Sequence, residues 1–280
     1  MNQPPHASPL HQALPDLARW TGFFRNAEIP VLAATAESLE LMRANEDDVD
    51  ANMLGELIST DPLMSLKVLA YAAAHRSSRL VTDAETVTAA LVLMGIPPFF
   101  RAFGPQPTVE SWLADRPDAL EGLQRVLRRA DRASRFALGF AAHRLDPDAA
   151  VVYSAALLHD FAEMLLWLHA PDLALEIRNR QRADRSLRSA EVQQAVLNIE
   201  LGDLEQSLMQ TWRLPELLTQ ITDDKHGHDP RVLSVRLAVR LARHSADGWS
   251  DAALPDDIRD ISQLLNLDLA ATERLLHEFD

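Results

Sequence analysis

The 280-residue chain contains no cysteine. Disulfides, thiolate nucleophiles and zinc–thiolate sites are therefore excluded. Glycine is scarce, with 9 residues, and no Gly-x-Gly-x-x-Gly, Gly-x-Ser-x-Gly or Walker-type loop occurs. Most cofactor-binding loops are excluded with them, and no cofactor is expected. Lysine occurs only twice, at Lys67 and Lys225, so the basic groups are nearly all arginine. Acids exceed bases by 41 to 27, for a net charge of −14, which argues against non-specific binding to nucleic acid or anionic membranes. No uncharged apolar run reaches the roughly 18 residues of a membrane span. The N-terminus, MNQPPHASPLHQ, lacks the basic-then-apolar order of a signal peptide. The expectation is a protein without membrane insertion, and the absence of cysteine fits a reducing cytoplasm.

What the chain does contain is Ala and Leu, with 47% apolar and 24% charged residues and few β-branched runs. That balance predicts an all-α protein. Its most apolar stretch is Tyr153–Leu168, YSAALLHDFAEMLLWL, with apolar residues at helical spacing: Val151, Ala155, Leu158, Ala162, Leu165, Leu168. A second stripe (Val152, Ala156, Phe161, Leu166) fills much of the other side, so one buried central helix is predicted. In its middle stand His159 and Asp160. Buried there, they must be paired, hydrogen-bonded or metal-bound.

The chain in order predicts a loose tail at 1–13 and helices at 14–26, 31–44, 51–59, 62–75 and 84–94. Asp61-Pro62 is a helix-entry signal, and Gly95 a stop. GPQP at 104–107 is the strongest break. It divides an N-terminal helical lobe, 14–105, from a second lobe at 108–250. PPFFRAF offers Phe99, Phe100 and Phe103 as anchors between them. A long arginine-rich helix is predicted at 118–145. Further helices follow at 172–183, 189–200, 203–213, 216–224 and 230–245, and two more in the 251–280 segment must pack back to bury Ile258, Ile261, Leu264, Leu265, Leu269, Leu275 and Leu276.

Three blocks resemble the HDOD domain, the regulatory relative of HD phosphohydrolases: Asp61–Ala74 (DPLMSLKVLAYAAA), Val87–Gly95 (VTAALVLMG) and Ala155–Leu165 (AALLHDFAEML). Trp212–Pro215 (WRLP) adds a fourth likeness, and the whole covers roughly residues 25–245. Ala73-Ala74 stand where the family has Asn-Ser, Ala162 where it has Gly, and Lys225-His226 where it has paired histidines. The resemblance implies a two-lobed helical fold and a signalling role exercised through a protein partner.

It also implies how catalysis would look. HD hydrolases use an upstream His, the His-Asp pair and a late Asp to hold a divalent metal that activates water at a phosphate. Here the upstream position falls near Arg128-Arg129, and Val239 occupies the late position. The nearest upstream histidine, His143, lies at the far end of its helix. A guanidinium repels a metal and neutralises Asp160 in its place. His159 and Asp160 are thus read as a degenerate HD motif, structural or vestigial, with no metal and no catalytic residue. The alternative is a metal-dependent phosphohydrolase acting on a nucleotide or cyclic dinucleotide. Two further groups were weighed. His226, His228 and His244 suit solvated histidines better than a metal site. Arg125, Arg128, Arg129, Arg132 and Arg135 suit salt bridges, or pairing with Asp160, better than a nucleotide groove. Arg128 and Arg129 remain candidate contacts for an anion or a partner.

Overall fold

The structure, a computed structural model, describes residues 9–76, 84–184 and 187–280. The first eight residues of the expected tail lie outside them. Seventeen α-helices and two short 3-10 turns run through the described residues, with no strand among them. The first six helices are α1 (Leu17–Phe24), α2 (Ala33–Ala44), α3 (Ala51–Ser59), α4 (Pro62–Ala74), α5 (Val87–Met94) and α6 (Ile96–Ala102). Then come α7 (Val109–Trp112), α8 (Pro117–His143), α9 (Ala149–Leu158), α10 (Phe161–His169), α11 (Pro171–Ala183) and α12 (Ser189–Leu197). The last are α13 (Leu201–Trp212), α14 (Glu216–Thr222), α15 (Pro230–His244), α16 (Leu254–Leu265) and α17 (Leu269–Phe279).

Local chemistry sets the boundaries. Asp61 starts α4 by accepting from the amides of Leu63 (2.9 Å) and Met64 (3.1 Å), and its second oxygen accepts from Leu32 N (2.9 Å) at the head of α2. One carboxylate thus caps one helix and ties down another. Thr86 is extended and its hydroxyl takes Ala89 N, so the expected 84–94 helix begins at Val87. The expected 189–200 helix stops at Leu197, because Asn198 turns left-handed.

The central segment departs from expectation. It is not one helix. Asp160 leaves helical geometry at φ −109°, ψ 22°, which separates α9 from α10. The backbone carbonyl of Asp160 then accepts from Glu163 N (3.1 Å) and Met164 N (3.2 Å), so Asp160 heads a new helix instead of sitting inside an old one. A negative charge at that end is favourable to the dipole of α10. The segment Ala149–His169 is long and apolar enough for a membrane span by composition. Its flanks are nevertheless packed in the core, with Val152, Leu158, Phe161 and Leu165 fully buried.

α8 is the spine. α9, α10 and α15 pack along it, and α17 closes over its far end. Leu276 is buried there, but Leu269, expected to be buried too, opens α17 on its outer side and is 51% exposed. Two glycines permit the packing along α8. A Cβ on Gly122 would lie 2.4 Å from the indole of Trp167, and one on Gly139 would lie 2.3 Å from the ring of Phe279. Gly122 opposite Trp167, and Arg129 opposite Asp160 and Glu163, set α8 and α10 antiparallel.

After GPQP the chain folds straight back: Val31 N donates to Pro107 O (2.9 Å) and Val109 N to Val31 O (2.8 Å). Phe99, Phe100 and Phe103 are buried, and Arg43 donates to the carbonyls of Phe100 and Phe103, each at 2.6 Å. The buried apolar residues of both expected lobes form one continuous cluster. The first helix, α1, has its main contacts beyond the GPQP break, on α13. Trp20 Nε1 donates to Leu197 O (2.9 Å), and Trp212 Nε1 donates to Arg25 O (3.2 Å). Within the expected tail, Leu10 N donates to His169 O (2.7 Å) and His11 pairs with Asp172 (2.7 Å).

Candidate functional site

The break between α9 and α10 opens onto a cleft of about 710 Å³, lined by α8, α10, α11, α13 and the turn after α14. His159 and Asp160 stand in its wall. Their side chains are 16% and 13% exposed, so the expected burial holds for their bulk while their heads face the cleft. Arg129, from the middle of α8, reaches across. Its Nε donates to Asp160 Oδ2 at 2.8 Å, and its Nη2 lies 2.7 Å from the same oxygen and 2.6 Å from Glu163 Oε2. Arg243, from α15, approaches the other oxygen of Asp160 at 3.8 Å. That oxygen also faces His159 Nδ1 at 3.4 Å. On its far side, His159 Nε2 is 3.4 Å from Asp224 Oδ1.

Burial alone would protonate Asp160, but Arg129, His159 and Arg243 hold its carboxyl well below the usual range. Burial lowers the pKa of His159 too. The hydrogen bonds to Asp160 and Asp224 outweigh it and push the imidazole up to about 10. Asp224 is held down in turn by His159, against its own burial. Arg129 is raised by Asp160 and Glu163 in spite of burial. The heart of the cleft is therefore a lattice of charges: two arginines and an imidazolium against three carboxylates.

A fourth acid, Glu205 on α13, faces this lattice and was not singled out in the sequence. It is 5% exposed. Burial raises its pKa well above normal; the charge of His159 opposes that, and the charges of Asp160 and Asp224 add to it. Glu205 thus holds its proton to higher pH than Asp160 and Asp224 do.

The candidates separate cleanly. Of the two adjacent arginines expected near the upstream position, Arg129 is the one that reaches Asp160. Arg128, its neighbour, is exposed, without a partner among the described residues, and outside the cleft. The turn of α15 after Val239 brings Arg243 to the pair, a second cation the sequence reading had not placed. His143 Nε2 donates to Leu265 O (3.2 Å), away from the cleft. The remaining arginines of α8 make salt bridges: Arg125 with Glu121, Arg135 with Asp131, and Arg132 with Asp280. The three late histidines are dispersed. His226 pairs with Asp223 (3.2 Å), His228 is exposed, and His244 pairs with buried Asp257 (2.6 Å). Among the described residues no group of three or more His, Asp or Glu side chains is arranged to hold a metal ion.

A family model for the HDOD domain matches residues 29–228. No curated protein sequence matches the chain. Among solved structures, the fold is similar to the MmoQ response regulator of Methylococcus capsulatus str. Bath, with TM-score 0.66 and 19% identity over 89% of this chain and 98% of that one. It is also similar to a virulence factor from Campylobacter jejuni subsp. jejuni, with TM-score 0.62 and 15% identity over 94% of this chain and 98% of that one. At such identities the likeness speaks for the fold, which is all-α and of the HDOD type. With the family model spanning well over half of its length, the chain belongs to the HDOD domain family.

Proposed function

We propose that this protein is a non-catalytic HDOD signalling module that acts through contacts with a protein partner. The observation that carries the non-catalytic part is the position of Arg129. Its guanidinium lies 2.7 Å from Asp160 and 2.6 Å from Glu163, so a cation of the protein already neutralises the aspartate of the pair. Arg243 adds a second cation, from α15. A divalent metal at Asp160 would have to displace one cation and sit beside another. It would also have to displace the proton that Asp160 and Asp224 hold on His159. The signalling part rests on the family and on likeness to a protein described as a response regulator.

The alternative, a metal-dependent phosphohydrolase, is favoured by one feature: Asp224 lies within 3.4 Å of His159 and adds an oxygen ligand beside Asp160. Elemental analysis of the purified protein, paired with a phosphatase assay on nucleotides with added Mn²⁺ or Mg²⁺, separates the two. The proposal expects substoichiometric metal and no turnover. One divalent ion per chain, lost in Asp160→Ala together with turnover, would establish the hydrolase.

A further inference from the structure

The cleft has a second end that the HD pair does not use. Along α10, Asp160 and Trp167 are seven residues apart, about 10 Å at the rise of a helix. Around Trp167 the charges change. Arg178 of α11 lies over the indole, its Cζ 5.3 Å from the ring centroid. Its Nε is buried and has no hydrogen-bond partner. Its other hydrogen bond among the described residues is a long one from Nη1 to the carbonyl of Asp118, at 3.5 Å. One turn on, Arg182 lines the cleft and makes no hydrogen bond or ion pair among the described residues. Arg125 lines the same end from α8, with Glu121 as its carboxylate.

Within the cleft the charge is unevenly matched. Of the five arginines that line it among the described residues, Arg125, Arg129 and Arg243 each lie within 4 Å of a carboxylate. Arg178 and Arg182 have no such partner among the described residues, although they stand one helical turn apart in a concavity. Burial and the like charges of Arg182 and Arg125 press the pKa of Arg178 down, although Glu121 and Asp118 partly offset them. The indole of Trp167 is not free for stacking. It is 3% exposed, with Gly122 against its edge and Arg178 over its face. It works as a platform that holds the Arg178 guanidinium in place. A fixed guanidinium with spare donors is suited to bidentate capture of a phosphate. The polar rim continues with Gln181, whose Nε2 donates to Ser189 Oγ at 3.0 Å. The volume, about 710 Å³, is that of a small-molecule site.

We infer that the Trp167 end of the cleft binds a phosphate group, free or carried on a small molecule of nucleotide size, through Arg178 and Arg182 with Arg125 beside them. Nothing is transferred in this step: the ligand is held, and the HD pair does not touch its phosphate. The site would give the signalling module a small-molecule input separate from its protein contacts.

Isothermal titration of the full chain at about 0.15 M chloride, with inorganic phosphate, adenosine monophosphate and adenosine as probes, tests this. The expected result is saturable binding of the first two and none of adenosine. Tighter binding of the monophosphate would assign the phosphate to a carried group, and equal binding to a free one. Arg178→Gln and Arg182→Gln should each weaken phosphate binding by about tenfold or more. Arg182 is exposed, so its variant remains informative if removal of Arg178 disturbs the packing of Trp167. Asp160→Asn and added chelator should leave binding unchanged. The inference is overturned by no binding of either phosphate probe, or by equal affinity in Arg182→Gln. Binding that vanishes with chelator or in Asp160→Asn would overturn it too, because the phosphate would then be held by a metal at the HD pair.

Discussion

Asp61, fully buried, and Asp160, 13% exposed, both stand at the head of a helix and both lie in blocks that resemble family motifs, yet the protein uses them in opposite ways. The carboxylate of Asp61 turns inward along its own chain. It accepts from Leu63 N, Met64 N and Leu32 N, all neutral donors, and burial prevails, so its pKa is raised. Asp160 makes no side-chain cap to α10. Its oxygens face the cleft and meet Arg129 and Arg243, whose charges overcome a burial of the same kind. Neutral hydrogen bonds can satisfy a buried carboxylate, but a full opposite charge is what keeps it ionised. Asp61 is therefore a cap that tolerates a proton, and Asp160 is half of an ion pair that does not.

The largest expected effect is loss of the cation. Arg129→Met strands Asp160 and Glu163 together, and removal of one partner from a buried pair costs about 3–5 kcal/mol. For a chain of this size that lowers the melting temperature by on the order of 10 °C, read by circular dichroism. A loss smaller than that of Asp61→Ala would break the comparison. The next effect is smaller and sharpens it. Asp61→Ala removes a cap and a tether, for about 1–3 kcal/mol, but Asp61→Asn keeps the oxygen that accepts from Leu63 N and Met64 N and should recover the cap, though not the tether to Leu32 N. Asp160→Asn should recover little, because Arg129 then lacks a charge to pair with. Equal tolerance of asparagine at both sites would contradict the distinction.

The acids and the imidazole also predict a pH dependence of known sign. The pair at Asp160 stabilises above the unfolded pKa of about 4 and is lost as acid titrates its lowered folded pKa. His159, raised to about 10, contributes fully below about pH 6.5 and loses that contribution as the pH rises through 10. Glu205 is raised as well, so the native state holds its proton more tightly than the unfolded chain, and stability falls as the pH climbs above about 4.3. Glu205→Gln should therefore be more stable than the parent at pH 8 by about 1 kcal/mol, and no more stable at pH 4. Urea midpoints at the two values measure this; a Glu205→Gln variant less stable at pH 8 would mean that Glu205 is ionised and pairs with His159. The smallest effect belongs to Arg128→Ala, within about 0.5 kcal/mol, since its side chain is exposed. A larger loss in urea melts would show that the wrong arginine of the adjacent two has been assigned to the pair.

Much of this was legible before the fold was known. The helix at 51–59 and the helix at 269–279 appear with the expected bounds, since Asp50 and Asp268 cap them locally. The family resemblance pointed to the Arg128-Arg129 pair as the neighbours of Asp160, and Arg129 makes that contact. The resemblance could not choose between Arg128 and Arg129, because neighbours on a helix point about 100° apart and only the docking of α10 decides which one faces in. The break at Asp160 was hidden by the apolar periodicity on both sides, which continues across it as though the helix did. Asp224 and Arg243 lie 64 and 83 residues beyond Asp160 in sequence, on a turn and a helix whose placement is tertiary. Glu205 did leave a signal. Leu201, Leu204, Glu205 and Leu208 follow the spacing of one buried stripe, and a lone acid in such a stripe marks a polar cavity or a protonated carboxyl.

The central claim is that Arg129 does at Asp160 what a metal does in an HD hydrolase. Melting curves of the unmodified protein with and without a strong chelator, beside those of Asp160→Ala under the same two conditions, test it most directly. A bound metal stabilises the native state by mass action, so its removal must lower the transition. The account predicts that chelator leaves both proteins unchanged, while Asp160→Ala melts several degrees lower in either condition. An unmodified protein that chelator lowers to the melting point of Asp160→Ala would contradict it.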